Sequence, residues 1–320
     1  MATYKNEIKD AGVYIDPLSD WGWKTLFGSK RYKGHLISFI NAVYPELEVT
    51  DISYDNVEYT GDKEEARSTR LDLVCTTAKG EAVMVEVQKA EQKYFFERGL
   101  WTSSFKIREQ AKQGQWDYHL KGVYSIGILT FPPEKIADFE WNDDAYIHTF
   151  SLREDVDGRR MTGLYRFAYI AVAKFSKTAA ELDNILEKWL YLLKNLRRLE
   201  ARPKELQDRV FEMFFRAAEI ARLPEEKQKT YRESIMNEND WMNAMAFAEE
   251  KGEKRGRAEG LEAGREEGRA EGRAEVAKTM LENGLDPATI SKYTGLSPEQ
   301  LEALRVNKST GKVSGTNSEN

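Results

Sequence analysis

The sequence predicts an α/β protein with an all-helical C-terminal extension. Three observations lead there. Apolar runs of strand length cluster between residues 70 and 175, one stretch of helical periodicity falls among them, and from residue 179 onward the apolar spacing is helical only.

Taken in order, LISFINAVYPELEV (36–49) follows a helical pattern that Pro45 ends before a strand begins. RLDLVCTTAKGEAVMVEVQKA (70–90) holds two short apolar runs around a small turn, the pattern of a hairpin. YFFERGLWTSSFKIREQAKQGQWDYHL (94–120) has aromatic and apolar residues at helical spacing and is expected to form one long helix, broken near Gly114. GVYSIGILTF (122–131) is a continuous β-branched and aromatic run stopped by Pro132 and Pro133, which suits a strand buried on both faces. AYIHTFSLRE (145–154) and LYRFAYIAVAKF (164–175) are further strand candidates. Three helical stretches follow, the last running through WMNAMAFAEE. The expected organisation is a core over 1–176, a helical extension packed on it over 177–248, a glycine-repeat helix or linker over 249–276, a small helix-turn-helix-like segment over 277–308, and a disordered polar tail over 309–320.

Composition narrows the class. With 320 residues, 41% of them hydrophobic, the chain can bury a sizeable core, and the 32% charged content fits a long solvated helical part. One cysteine, Cys75, excludes an intramolecular disulfide framework and fits a reducing cytoplasm. No apolar run approaches the ~18–20 residues of a membrane span, and the opening MATYKNEIKDAG has no signal-peptide core, so a cytoplasmic protein is expected. A net charge of −6 argues against a broad nucleic-acid-coating surface but leaves room for a local basic groove.

The hairpin carries the chemistry. If Ala78, Lys79 and Gly80 make its turn, Asp72 lies opposite Glu86, Gln88 shares the face of Glu86, and Val83, Val85 and Val87 point the other way into the core. Opposed Cβ atoms in a ladder stand about 4.5–5.5 Å apart. Two carboxylates so close repel each other, and a divalent cation between them converts that penalty into a site, with Mg²⁺ preferring oxygen ligands. The plain alternative is an amphipathic hairpin with a wet polar face. The aromatic helix and fully apolar strand that follow speak against it, because they make the hairpin an inner pair.

The order D-(x)13-E-x-Q over strand, turn and strand, then a helix and an apolar strand, resembles the PD-(D/E)XK restriction-endonuclease-like core. It resembles more narrowly the recombination-promoting nuclease (Rpn) family, also described as PD-(D/E)XK nuclease family transposases. YIDPLSDWGWKTLFGS (14–29) resembles that family's D-x-x-F-K-x-L-F-G opening. RGLWTSSFKIREQAKQGQWDYHLKGVYSIGILTF (98–131) resembles its helix–strand segment, and AKF (173–175), LEKWLYLLKNLRRL (186–199) and the glycine repeat also follow its pattern. Trp23 stands where the family usually has Phe. Gln88 stands where the wider superfamily has Lys, although Gln is usual in this subfamily.

The resemblance implies a mixed sheet flanked by helices and a metal-dependent DNA endonuclease in recombination, transposition or defence. Asp72, Glu86 and the Val87 carbonyl would hold Mg²⁺, with Mn²⁺ able to substitute. Gln88 would position the attacking water or contact the phosphate. Asp20 and Glu58 are candidates for a further acid, and Lys24, Arg98 and Gln110 for contacts to the nucleic acid. The rival reading is an oligomeric assembly or regulatory protein that keeps the fold without useful catalysis; the retained Asp72 and Glu86 favour the enzyme. His35, His119 and His148 lack metal-ligand spacing and read as structural.

Glycines at 252, 256, 260, 264, 268 and 272 cost a lone helix roughly 5 kcal/mol in total. The repeat is therefore a flexible charged linker, or a helix whose glycine stripe meets a partner, with a homo-oligomer through 249–308 as the expectation. LENGLDPATISKYTGLSPEQLEALR (281–305) resembles a helix-turn-helix. Its last helix carries Glu299 and Glu302 against Arg305, with Gln300 alone suited to reading a base, so protein–protein contact is expected there over DNA reading.

Overall fold

The computed structural model describes residues 12–55, 58–59, 69–70, 73–111, 117–136, 138–142 and 144–310. Six strands form one mixed sheet: β1 (Ile52–Tyr54), β4 (Leu73–Thr77), β5 (Ala82–Gln88), β6 (Val123–Leu129), β10 (Tyr165–Ala171) and β9 (Ile147–Ser151), side by side in that order. β5, β6 and β10 run parallel to one another, and the outer pairings are antiparallel. β2 (Glu58–Tyr59) with β3 (Thr69–Arg70), and β7 (Lys135–Ile136) with β8 (Phe139–Glu140), make two small separate ribbons.

Helix α1 (Asp20–Phe27) begins at Ser19, whose hydroxyl accepts from the Gly22 N–H at 3.0 Å and donates to the Asp16 carbonyl at 2.8 Å. Gly22 has no substitute there, since a Cβ would lie 2.0 Å from the Asp16 carbonyl oxygen. Helices α2 (Lys33–Val43), α4 (Ile185–Asn195) and α5 (Arg209–Ala218) join α1 in one apolar cluster with Cys75, Val83, Val85, Tyr124, Ile126, Ile128, Ala168 and Ile170 of the sheet. Its centre is aromatic: Phe27 lies 5.6 Å from Trp189 and 5.3 Å from Phe214, centroid to centroid. Each such side chain contributes about 1.5–3 kcal/mol by leaving water. Trp23, in place of the expected Phe, stacks on Phe27 at 4.2 Å.

The opposite face of the sheet presents Val74, Met84, Phe167 and Tyr169 to helix α3 (Phe95–Arg108), which connects β5 to β6. The expected strand 122–131 is buried along nearly its whole length as β6. The expected helix over 94–120 is shorter and ends at Arg108. Past the helix end a contact across eleven residues takes over: the Gln110 amide accepts from the Lys121 N–H at 2.7 Å and donates to the Lys121 carbonyl at 3.2 Å, just ahead of β6. Gly114, the expected break, lies outside the described residues.

The chain divides into two compact units, 1–238 and 239–320, and helix α6 (Glu225–Glu282) runs through the division. The glycine repeat is thus helical, and a Cβ added at any of its six glycines would meet open space. In the second unit α6, α7 (Pro287–Thr294) and α8 (Pro298–Thr310) close a small core of Ala277, Ile290 and Leu301. Asp286 caps α7, accepting from the Thr289 N–H at 3.0 Å, and Gly295 follows with φ 72°. α8 extends through Thr310, two residues into the stretch expected to be disordered; 311–320 lie outside the described residues. Among the described residues no helix is long and apolar enough to cross a membrane.

Candidate active site

β4 and β5 pair with Leu73 opposite Val85 and Cys75 opposite Val83, the register expected from the turn. Asp72, one residue before β4, lies outside the described residues. Val83 and Val85 are buried in the main core and Val87 packs against it, so alternation turns Glu86 and Gln88 to the α3 face.

On that face three neighbouring strands form one row, with Glu86 opposite Gly127 and Gly127 opposite Tyr169. Gly127 leaves the gap that the Tyr169 ring fills: a Cβ there would lie 2.6 Å from the ring and 3.3 Å from Phe95. Tyr169 therefore leans across the row toward Glu86. Its hydroxyl is buried and has no hydrogen-bond partner among the described residues, and burial first, then the nearby Glu86 charge, pushes its pKa up. An unpaired buried hydroxyl is costly, which marks this position. Neither residue was among the candidates read from the sequence, but the isolated glycine in GVYSIGILTF is the signal that could have found them.

Arg98, in the first turn of α3, reaches into the row. Its Nη2 donates to the Gln88 amide oxygen at 2.9 Å and to the Glu86 carboxylate, while Nη1 donates to the Gln92 amide oxygen at 2.6 Å. Gln88 is 5% exposed, and its Nε2 donates to the Ala90 carbonyl at 2.8 Å. The Glu86 and Arg98 side chains are 19% and 34% exposed, so the ion pair sits at the mouth of the site. The end of β5 is pinned by the Thr130 N–H, which donates to the Gln88 carbonyl at 3.0 Å.

The structure thus brings Glu86, Gln88 and Arg98 together. Gln110, beyond the other end of α3, has its amide engaged with the Lys106 and Lys121 backbone and does not join Arg98. Asp20 and Lys24 pair with each other on the surface of α1 at 2.6 Å. Glu58 falls in β2, opposite Arg70 in the ladder. Among the described residues no three His, Cys, Asp or Glu side chains gather at one point. The donors at the row are nevertheless of the right chemistry for Mg²⁺ or Mn²⁺. Glu86 and Gln88 offer hard oxygens that already hold a cation, the Arg98 guanidinium.

Cys75 is buried, and burial followed by the Asp55 charge pushes its thiol up to about 12. His35 is buried, its Nδ1 bonding the Leu26 carbonyl at 2.9 Å, and His148 packs against Phe139 and Trp141. His119 is exposed.

A mixed sheet flanked by helices, with an acid and an amide at x-separated positions of an inner strand, is the arrangement of a PD-(D/E)XK phosphodiesterase. The family described as PD-(D/E)XK nuclease family transposase matches residues 17–248, and the Rpn/YhgA-like nuclease family C-terminal HTH domain matches residues 270–306. The chain belongs to the PD-(D/E)XK nuclease family transposases, with the Rpn-type C-terminal domain. No curated protein and no solved structure matches it.

Proposed function

We propose that this nuclease is a Mg²⁺-dependent endonuclease acting on DNA, with Asp72, Glu86 and the Val87 carbonyl as metal ligands and Gln88 as the group that orients water. The observation that carries the reading is the convergence of Glu86 and Gln88 with a cation on one face of β5. A metal bound there supplies a Lewis acid for the phosphate and a water of lowered pKa. Glu86 holds charge in a half-shielded setting, where an ionic interaction is stronger than in open water. Gln88 donates to the Ala90 carbonyl and, in the metal-free protein, also accepts from Arg98, so its amide is oriented before a metal arrives.

A cleft of about 710 Å³ opens where β5 ends, and Lys89, Lys194, Arg197 and Arg198 line it together with Asp16 and Glu200. Lys89 pairs there with Glu238, Arg197 lies 3.9 Å from Asp16 and Lys194 donates to the Ala173 carbonyl at 2.8 Å, so the cleft is at most a secondary contact for a phosphate backbone beside the Glu86–Gln88 row. The helix-turn-helix adds less to DNA binding than its name suggests. The Gln300 amide oxygen accepts from the Ser297 N–H at 2.8 Å, and the Ser297 hydroxyl accepts from the Gln300 N–H at 3.2 Å, so the best base reader serves as half of a capping box. We assign that domain, with the glycine helix, to self-association.

The test is purified protein with supercoiled plasmid. Nicking or linearisation is expected with Mg²⁺ or Mn²⁺ and none in EDTA, and Asp72→Ala is the control. Equal cutting by Asp72→Ala would sink the assignment.

A further inference from the structure

Arg98 already engages Glu86, the carboxylate proposed above to hold the metal. Its guanidinium bridges Glu86 and Gln88 from one nitrogen, lies over the Phe95 ring at 5.5 Å and is steadied by Gln92. A divalent cation on the Glu86 carboxylate would stand against this fixed positive charge in a partly desolvated setting, so the two cannot share the acid comfortably.

We propose that Arg98 is the resident counter-cation of the site and exchanges with the metal: as the cation reaches Glu86, the guanidinium leaves Glu86 and Gln88 and becomes the clamp for the substrate phosphate. This rests on the nuclease reading above. The direction of the exchange follows from the packing. Inward movement is blocked by the Tyr169 ring over Gly127 and by Phe95. The outward side is open, since the Arg98 side chain is one-third exposed and its Nη1 already bonds Gln92 in an exposed position. A guanidinium released there keeps its paired N–H groups, whose fork matches two phosphate oxygens. In the metal-free protein the same contact keeps Glu86 neutralised. The consequence is reciprocal coupling: metal binding exposes the phosphate clamp, and a phosphate on Arg98 strengthens metal binding.

The experiment uses the full-length protein stripped of metal. Mn²⁺ binding is followed by the paramagnetic resonance of the free ion, and Arg98 accessibility by phenylglyoxal labelling read out by peptide mass spectrometry. Arg98→Gln is expected to bind Mn²⁺ about tenfold more tightly than wild type, because the competing cation is gone. In wild type, saturating Mn²⁺ should raise labelling of Arg98 about threefold or more, and Glu86→Gln should remove that response. Arg98 labelling unchanged by Mn²⁺, with Mn²⁺ still bound in a Glu86-dependent way, overturns the exchange and leaves the nuclease reading standing. Tighter binding by Arg98→Gln without a labelling change likewise overturns it, since removal of a repelling charge then suffices. Absence of Mn²⁺ binding to wild type overturns the nuclease reading and the exchange together. The labelling arm needs no variant at position 98, so it decides the matter even where Arg98→Gln fails to fold.

Discussion

Arg98 Nη2 donates to the Gln88 amide oxygen at 2.9 Å, and this one contact sets what position 88 can be. An amide has an oxygen to accept that donation and an N–H to give to the Ala90 carbonyl. A lysine, the residue of the wider superfamily, has only donors and would set an ammonium against the guanidinium.

Gln88→Lys should therefore destabilise the metal-free protein, although it restores the superfamily residue. Adding Arg98→Gln should recover part of that loss, a non-additive pair. Urea midpoints of the two singles and the double, measured without metal, test this. A Gln88→Lys variant as stable as wild type would show that the Arg98 contact does not constrain position 88.

Gln88→Ala should reduce the rate by ~10²–10⁴, the range for one positioned catalytic group, and leave Mn²⁺ affinity nearly unchanged. Loss of metal binding in calorimetry would make Gln88 a ligand and correct its role.

Gly127→Ala places a methyl where the Tyr169 ring already stands, 2.6 Å away, with Phe95 behind it. Overpacking of this kind costs about 1–3 kcal/mol, read as a lower urea midpoint. Because the displaced ring faces Glu86, cleavage should fall by more than the stability loss explains. Wild-type stability in this variant would mean that the Tyr169 ring is free to move.

His35 makes stability depend on pH. Its Nδ1–H donates to the Leu26 carbonyl, which leaves Nε2 buried with no partner among the described residues, and burial lowers its pKa below 6.5. The folded state then holds the neutral ring while the unfolded state takes up a proton. Stability is complete above about pH 6.5 and falls as pH drops from there through the folded pKa, by about 1.4 kcal/mol for each unit of depression. Urea midpoints between pH 7.5 and 5 should show this slope. His35→Asn keeps the donor without a titrating group and should flatten it; an unchanged slope would assign it to other residues.

Replacing the six glycines of 252–272 by alanine distinguishes a solvated helix from an interface. Every added Cβ meets open space within the chain, so each change should favour the helix by up to about 1 kcal/mol. If a second copy packs on the stripe, the same changes should lower the association state in light scattering. Increased helicity with association unchanged would remove the stripe from the interface.

The sequence by itself determined the α/β class, the strand–turn–strand with Glu86 and Gln88 on one face, and the register that sets Leu73 opposite Val85. These are local matters: a turn of fixed length and a period of two decide which way every side chain in a hairpin points. The helix-turn-helix was legible for the same reason, through Gly284, Pro287, Gly295 and Ser297 acting within a few residues of themselves. Other features depended on contacts between distant parts of the chain. Helical spacing continued past Arg108, but past the helix end the Gln110–Lys121 hydrogen bonds took over. Arg98 and Gln110 were both plausible phosphate contacts by residue type, and the packing of α3 on the sheet brought only Arg98 to the acid. Tyr169 and Gly127, 42 residues apart, form part of the site because β6 and β10 lie side by side in parallel. Strand order is fixed by which apolar faces can be buried together, a property of the whole sheet that no single stretch of sequence carries.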